Sequence, residues 1–205
     1  MLQIQKAIKE QIDLRAAIVG PTGGGKTYTA LRLAFALGKK VLVIDTERKS
    51  ARKYAAESPD GFKWDYDVIE LPDFSASTYT EAIHLGIKAG YEIIVIDSLS
   101  HAWEGEGGIL ELQQKYGGRY QDWAKVNPMH FSLIDAILTA PCHMIVTMRS
   151  KMDYAMEEEI VDGKKKTTVA KLGMAPIQRS GVQYEFDFIL AMDWTNTGTV
   201  DKTRC

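Results

Sequence analysis

Cysteine is scarce in this chain. Two occur among 205 residues. Cys142 adjoins an apolar run and reads as a small buried hydrophobe, and Cys205 is the final residue given, so no structural disulfide is expected and the usage fits a reducing cytoplasm. Long hydrophobic runs are missing too. No apolar stretch approaches 18 residues, which excludes a membrane-spanning helix, and the opening Met-Leu-Gln-Ile-Gln-Lys does not read as a signal peptide. No charge of one sign dominates. Lys and Arg number 25 against 27 Asp and Glu, and residues 1–100 hold 13 basic and 13 acidic side chains. A polyanion would therefore have to be held by a local patch, since the net field is close to neutral. The four histidines, His84, His101, His130 and His143, show no metal-ligand spacing with the cysteines and read as structural or exposed. No internal repeat is present.

What remains is ordinary for one globular domain: 45% hydrophobic and 25% charged residues, enough for a single core. Apolar runs at 16–20, 41–45, 91–97 and 143–148 lack alternation, as strands covered on both faces do. Between them come helical patterns at 26–37, with Gly38 as a C-cap, and at 76–89, capped by Ser75. A further helix is expected from Asn127-Pro128 to Thr139. A polar helix is expected near 48–57, a turn at Pro59-Asp60-Gly61 and a strand at 66–71. A hairpin is expected around Asp162-Gly163, followed by late strands at 186–192 and 198–204. Alternating strands and helices with short connections give an α/β fold. We expect a three-layer arrangement over residues 1–205, with a mostly parallel central sheet, a late antiparallel extension and an N-terminal extension at 1–13.

Ligands in such sheets sit beyond the carboxyl ends of the strands. The residues that follow the apolar runs are polar or glycine: 20–27, 45–47, Asp97-Ser98 and Arg149. The first set, Gly20-Pro21-Thr22-Gly23-Gly24-Gly25-Lys26-Thr27, fits G-x-x-x-x-G-K-[ST] in full. Average composition gives a chance match on the order of one in a hundred for a chain of this length, so a plain glycine turn is the weaker reading. The glycines let backbone N–H groups approach phosphate oxygens, Lys26 adds a point charge at the β- and γ-phosphates, and the Thr27 hydroxyl can ligate Mg²⁺. The next helix aims its positive end at the same phosphates, and Tyr28 in its first turn joins the nucleotide-binding set. No Asn-Lys-x-Asp guanine motif occurs, so ATP is the expected nucleotide. Asp97 ends an apolar strand and can hold the Mg²⁺ water shell in the manner of a Walker B aspartate. Glu47 could position or deprotonate the attacking water, with Asp45 in support. Residues 45–47 are equally readable as ordinary loop charges.

In order and spacing these residues resemble the RecA superfamily of ATPases. The resemblance implies Glu47 as the catalytic carboxylate of an Asp-x-Glu strand end. It also implies Tyr54 packed on adenine, Asp97-Ser98 as the next motif, and Arg149 at the place of a γ-phosphate sensor that is Gln in RecA. Lys202-Thr203-Arg204 looks like the Lys-x-Arg pair that reaches a neighbouring subunit's ATP, which would place Lys202 and Arg204 in catalysis in trans. A surface basic pair is the alternative. The stretch from Gly163 through Lys171-Leu172-Gly173-Met174-Ala175-Pro176 to Asp187 resembles phage-encoded RecA-like proteins of the Sak single-strand annealing group, which would place the protein in a bacterial host's cytoplasm. That resemblance implies a homo-oligomer, ring or filament, single-stranded DNA as partner, and a single-strand DNA-binding protein as a further one. The DNA-facing loops would be 101–126, with Trp103, Tyr116, Arg119, Tyr120, Trp123 and Lys125, and 150–178, with Lys151, Lys164, Lys165, Lys166 and Lys171. The aromatics can stack on bases or pack the loop onto the domain, and the lysines can equally form a solvated hairpin. A ring motor of the DnaB-like kind and a nucleotide switch with little hydrolysis are the alternatives to a recombination ATPase.

Overall fold

The computed structural model describes Lys6 and residues 12–57, 61–161 and 164–204, with only the backbone of 56–57 and 153–173. Residues 1–5 and 7–11 of the expected N-terminal extension lie outside the described residues, as do Pro59 and Asp60 of the expected turn.

Ten strands and five α-helices are described in chain order. The first half runs β1 (Arg15–Gly20), α1 (Lys26–Leu37), β2 (Val41–Asp45), β3 (Ala56–Glu57), β4 (Lys63–Trp64), β5 (Asp67–Glu70), α2 (Ala76–Lys88) and β6 (Ile93–Asp97). Then come α3 (His101–Glu104), α4 (Ile109–Lys115), α5 (Trp123–Thr139), β7 (His143–Val161), β8 (Lys164–Pro176), β9 (Phe188–Met192) and β10 (Gly198–Thr203). The main sheet has the order β10-β9-β1-β7-β6-β2-β5. Its strands from β9 to β5 pair in parallel, and β10 closes one side antiparallel to β9. The expected α/β class, parallel sheet and late antiparallel extension are all present.

The uninterrupted apolar runs have a simple cause. In β1, β2, β6 and β7 alternate residues face opposite layers, and both layers are apolar. Ala17, Val19, Leu42, Ile44, Ile94 and Ile96 pack with Tyr79 and Ile83 of α2 and with Leu133 and Ile137 of α5. Ala16, Ile18, Val41, Val43, Ile93 and Val95 pack with Ala30, Leu31 and Ala34 of α1. Burial on both faces supplies the hydrophobic stabilisation that holds three layers together.

Register then fixes the functional end. Gly20 is the partner of Arg149, and Asp45 is the partner of Asp97. The ends of β1, β2 and β6 and of the parallel part of β7 therefore finish within two residues of one another.

Three segments depart from the sequence expectation. No helix covers 48–57: Arg48 and Lys49 take positive φ (53° and 67°), and the chain makes only a 3₁₀ turn at Ala51–Tyr54 before β3. The Asp45 carboxylate causes the bend by accepting from the Glu47 N–H (2.7 Å) and the Ala51 N–H (3.1 Å). Helix α5 starts at Trp123, four residues before the expected Asn127, and carries Pro128 inside. Asp122 anchors the earlier start, accepting from the Arg119 N–H at 3.2 Å, and the exposed Ala124 backbone can give water the carbonyl that Pro128 leaves without a donor.

The expected hairpin is present and longer than expected: β7 and β8 pair antiparallel from Ser150↔Pro176 to Val161↔Lys164, so 150–176 is a strand pair and not a loop. Asp162 and Gly163, the expected turn, lie outside the described residues, as do the side chains of Lys164, Lys165, Lys166 and Lys171. Segment 101–126 is mainly helical, built from α3, α4 and the start of α5.

Candidate active site

Beyond the carboxyl ends of the parallel strands lies a cavity of about 680 Å³, walled by Lys26, Thr27, Glu47, Tyr54, Asp97 and Arg149 together with Thr22, Gly23, Gly25 and Tyr28. The loop from Pro21 to Gly25 joins β1 directly to α1. Its glycines are there for two reasons. Gly23 and Gly25 hold φ of 82° and 81°, a left-handed region that only glycine enters freely. At Gly20 and Gly24 a Cβ would meet the Met192 and Asp193 carbonyl oxygens at 2.7 and 2.9 Å. Gly20, Pro21 and Gly24 thus shape the loop from behind. The Pro21 carbonyl accepts from the Gly24 N–H (3.1 Å) and from Lys26 Nζ (2.8 Å).

Lys26 is buried, and burial lowers its pKa, with Asp97 and Glu47 pulling it back up and Arg149 adding to the fall. An ammonium resting on a backbone carbonyl in such a place is ready to exchange it for a phosphate oxygen.

Asp97 sits at the floor. Its Oδ2 accepts from Thr27 Oγ1 at 2.6 Å and its Oδ1 from Thr147 Oγ1 at 2.5 Å. Burial raises its pKa, and the two hydroxyls oppose the rise. The Asp97–Ser98 peptide is cis. Thr27 and Asp97 thus bring two hard oxygen donors into contact inside a phosphate-sized cavity. No group of three or more acidic, His or Cys side chains that could hold a metal by itself occurs among the described residues. That donor set suits Mg²⁺, which takes few protein ligands and completes its octahedron with phosphate and water.

Glu47 faces the cavity with both oxygens occupied: Arg149 Nε donates to Oε1 at 2.9 Å and Arg149 Nη2 to Oε2 at 2.5 Å. Burial pushes the Glu47 carboxyl up, but the Arg149 fork and charge, helped by His101 and Lys26, leave it below the usual carboxylate range. Asp45 does not reach the cavity wall. It holds the backbone turn described above, so its supporting role for Glu47 is structural.

Tyr28 and Tyr54 line the cavity with ring centroids 6.3 Å apart. Lys202 and Arg204 do not join it. They stand on or just after β10, and both donate to the Tyr184 carbonyl (2.7 and 3.3 Å).

Sequence reading missed several contributors. Thr147 is the one hydroxyl in the otherwise apolar run Met144–Met148 at the start of β7, and that is its signal. His101, read as structural or exposed, has Nδ1 2.7 Å from the Thr46 hydroxyl, which in turn accepts from the Ser98 N–H at 2.7 Å. Asn196 and Met192, from the far side of the sheet, complete the wall; nothing local in the sequence marks them.

The profile of a family described as an AAA domain matches residues 12–204. The chain belongs to that family. It is accordingly a P-loop, AAA-type ATPase domain that binds nucleotide. Among the curated proteins, none matches this chain. No helix among the described residues is long and apolar enough to cross a membrane.

Proposed function

We propose that this AAA domain is a Mg²⁺-dependent ATPase of the RecA-like kind that assembles on single-stranded DNA and promotes annealing or recombination. The observation that carries the catalytic part is the convergence of Lys26, Thr27, Glu47, Asp97 and Arg149 on one cavity from four strand ends. The loop amides and Lys26 hold the triphosphate. Thr27 and Asp97 would hold Mg²⁺, which supplies charge neutralisation between the β- and γ-phosphates. Glu47 takes a proton from the water whose oxygen bonds to the γ-phosphorus, while the bond from that phosphorus to the bridging oxygen breaks, giving ADP and phosphate. Tyr28 and Tyr54 offer ring faces to the base.

The DNA part is supported by a second cleft, about 490 Å³, lined by Trp103, Tyr120, Trp123, Asn127 and Arg179. Trp103 and Trp123 stack on each other at 5.7 Å, so they serve packing. Tyr120, 92% exposed, stands at the cleft for a base, and Arg179, which donates to Asn127 Oδ1 (3.0 Å) and lies over the Phe131 ring, adds a positive charge beside it for a phosphate. Lys202 and Arg204, at the end of the edge strand, donate to the chain's own Tyr184 carbonyl, and a reach into a neighbouring subunit of a ring or filament would exchange that carbonyl for the neighbour's phosphate.

The test is ATP turnover with and without single-stranded DNA. Wild type is expected to turn over faster with DNA, and Glu47→Gln to bind ATP with turnover reduced at least a hundredfold. Equal rates with and without DNA would remove the DNA role, and unchanged turnover in Glu47→Gln would remove the catalytic assignment. A second reading, a nucleotide switch with little hydrolysis, gains from one observation: both Glu47 oxygens are bound to Arg149.

A further inference from the structure

The turn that carries Glu47 does not support itself. Directly after Glu47, Arg48 and Lys49 hold φ of 53° and 67°, a region that residues other than glycine keep only where the surrounding structure holds them. Two clamps act on the backbone. The Asp45 carboxylate grips the turn from within, and the Thr46 N–H donates to the Asp97 carbonyl at 2.7 Å. The third hold is on a side chain. Thr46 is buried, and its hydroxyl accepts from the Ser98 N–H at 2.7 Å, which leaves one further bond of that hydroxyl to be matched. The Ser98 carbonyl is 3.2 Å away and already accepts from the buried Tyr79 hydroxyl at 2.8 Å. The nearer partner is His101 Nδ1, at 2.7 Å.

His101 opens α3 and is itself held in place. Its ring stacks on Phe74, with centroids 4.9 Å apart and planes at 24°, and the Phe74 N–H donates to the Glu106 carbonyl at 3.0 Å. His101 is thus wedged between Phe74 and the residue next to Glu47, yet it does not line the nucleotide cavity. A carboxylate that takes a proton from water must be aimed closely, because a misplacement of about 1 Å can cost on the order of a hundredfold in rate. We propose that His101 is a positioning residue for ATP hydrolysis: its Nδ1 completes the bonding of the Thr46 hydroxyl and so fixes the turn that aims Glu47 at the attacking water. A polar atom that bonds the hydroxyl from the same place, as donor or acceptor, suffices for this; an apolar ring does not. The proposal rests on Glu47 as the residue that activates water.

The test separates turnover from affinity. kcat with Mg·ATP, and Kd for the Mg²⁺ complex of the non-hydrolysable β,γ-imido analogue, are measured on wild type, His101→Phe and His101→Asn. His101→Phe keeps a ring on Phe74 and loses the polar atom. His101→Asn loses the ring and keeps a polar atom where Nδ1 stands. kcat is expected to fall about tenfold or more in His101→Phe and to stay within about threefold of wild type in His101→Asn. Kd should stay within about twofold in both. Equal losses of kcat in the two variants mean ring packing alone and overturn the proposal. So does an unchanged kcat in His101→Phe, or a loss of kcat matched by an equal loss of analogue affinity. If His101→Phe does not fold, His101→Leu replaces it, close to Asn in size but without a polar atom, and the same outcomes decide. In a Glu47→Gln background, read in single turnover, His101→Phe should change the rate by less than about twofold; an undiminished loss there shows His101 acting by another route and contradicts the proposal. Turnover of Glu47→Gln alone reads the base assignment separately.

Discussion

Cys142 illustrates how far burial alone sets chemistry in this domain. The thiol lies just before β7, 4% exposed, and burial pushes its pKa up to about 11 although Arg15 nearby acts the other way. A thiol whose folded pKa is raised binds its proton more tightly in the folded state. Its contribution to stability is therefore intact below the unfolded value near 9 and is lost as pH rises towards about 11. In a Cys205→Ser background, we expect Cys142 to resist alkylation at pH 8 until denaturant unfolds the chain, and stability to fall between about pH 9 and pH 11 more than in Cys142→Ala. Alkylation at native conditions at the rate of a free thiol would contradict this. The same principle acts at the two cavity carboxylates, with opposite outcomes. Asp97 and Glu47 are both desolvated, yet Asp97 is held up by burial while the Arg149 fork takes Glu47 down. Two carboxylates in one cavity are thereby shifted in opposite directions.

At the scale of elements, the strands that read most clearly in the sequence are those with both faces covered. β1, β2 and β6 are buried along their whole length, so all positions but the terminal Arg15, Asp45 and Asp97 are apolar or glycine and the run is unmistakable. The polar residue that ends each run is forced by the same geometry, because the strand there leaves the core. For that reason Lys26, Glu47, Asp97 and Arg149 could be named from sequence. Thr147 lies inside a buried strand and is polar only because Asp97 needs a second donor. Asn196 arrives through strand order β9-β1-β7, which no local pattern encodes. The β7–β8 hairpin is legible only near its turn, since the sequence beyond mixes charged and apolar residues without a clear alternation. Helix α5 was misread at its start because Pro128 mimics a first-turn proline.

The far end of α5 offers an element-scale test. Arg15, at the start of β1 and 8% exposed, donates to the carbonyls of Leu138 (3.0 Å), Ala140 and Cys142 (2.9 Å), and so caps the helix and ties it to the sheet. Arg15→Met should cost about 3 kcal/mol in urea unfolding, as several buried acceptors lose their donor together. ATP turnover of the folded variant should stay within about twofold, since the cavity lies at the opposite end of β1. A neutral effect on stability would remove Arg15 from this role.

For the whole molecule, one sheet does two things. Its parallel middle brings the ends of β1, β2 and β6 and the last parallel residue of β7 to one side and makes the nucleotide cavity. Its antiparallel edge, β10, and the residue after it carry Asp201, Lys202 and Arg204, the two cations on the Tyr184 carbonyl, and charges on an edge strand discourage indiscriminate strand pairing. All of this depends on residues 20–27 holding a nucleotide's phosphates with magnesium. Titration calorimetry of the wild-type chain with Mg·ATP, beside Lys26→Ala, measures that directly. The account predicts saturable one-site binding for wild type, weakened at least tenfold by Lys26→Ala and by removing Mg²⁺ with a chelator. Binding that is absent in wild type, or equal in the two proteins, would contradict it.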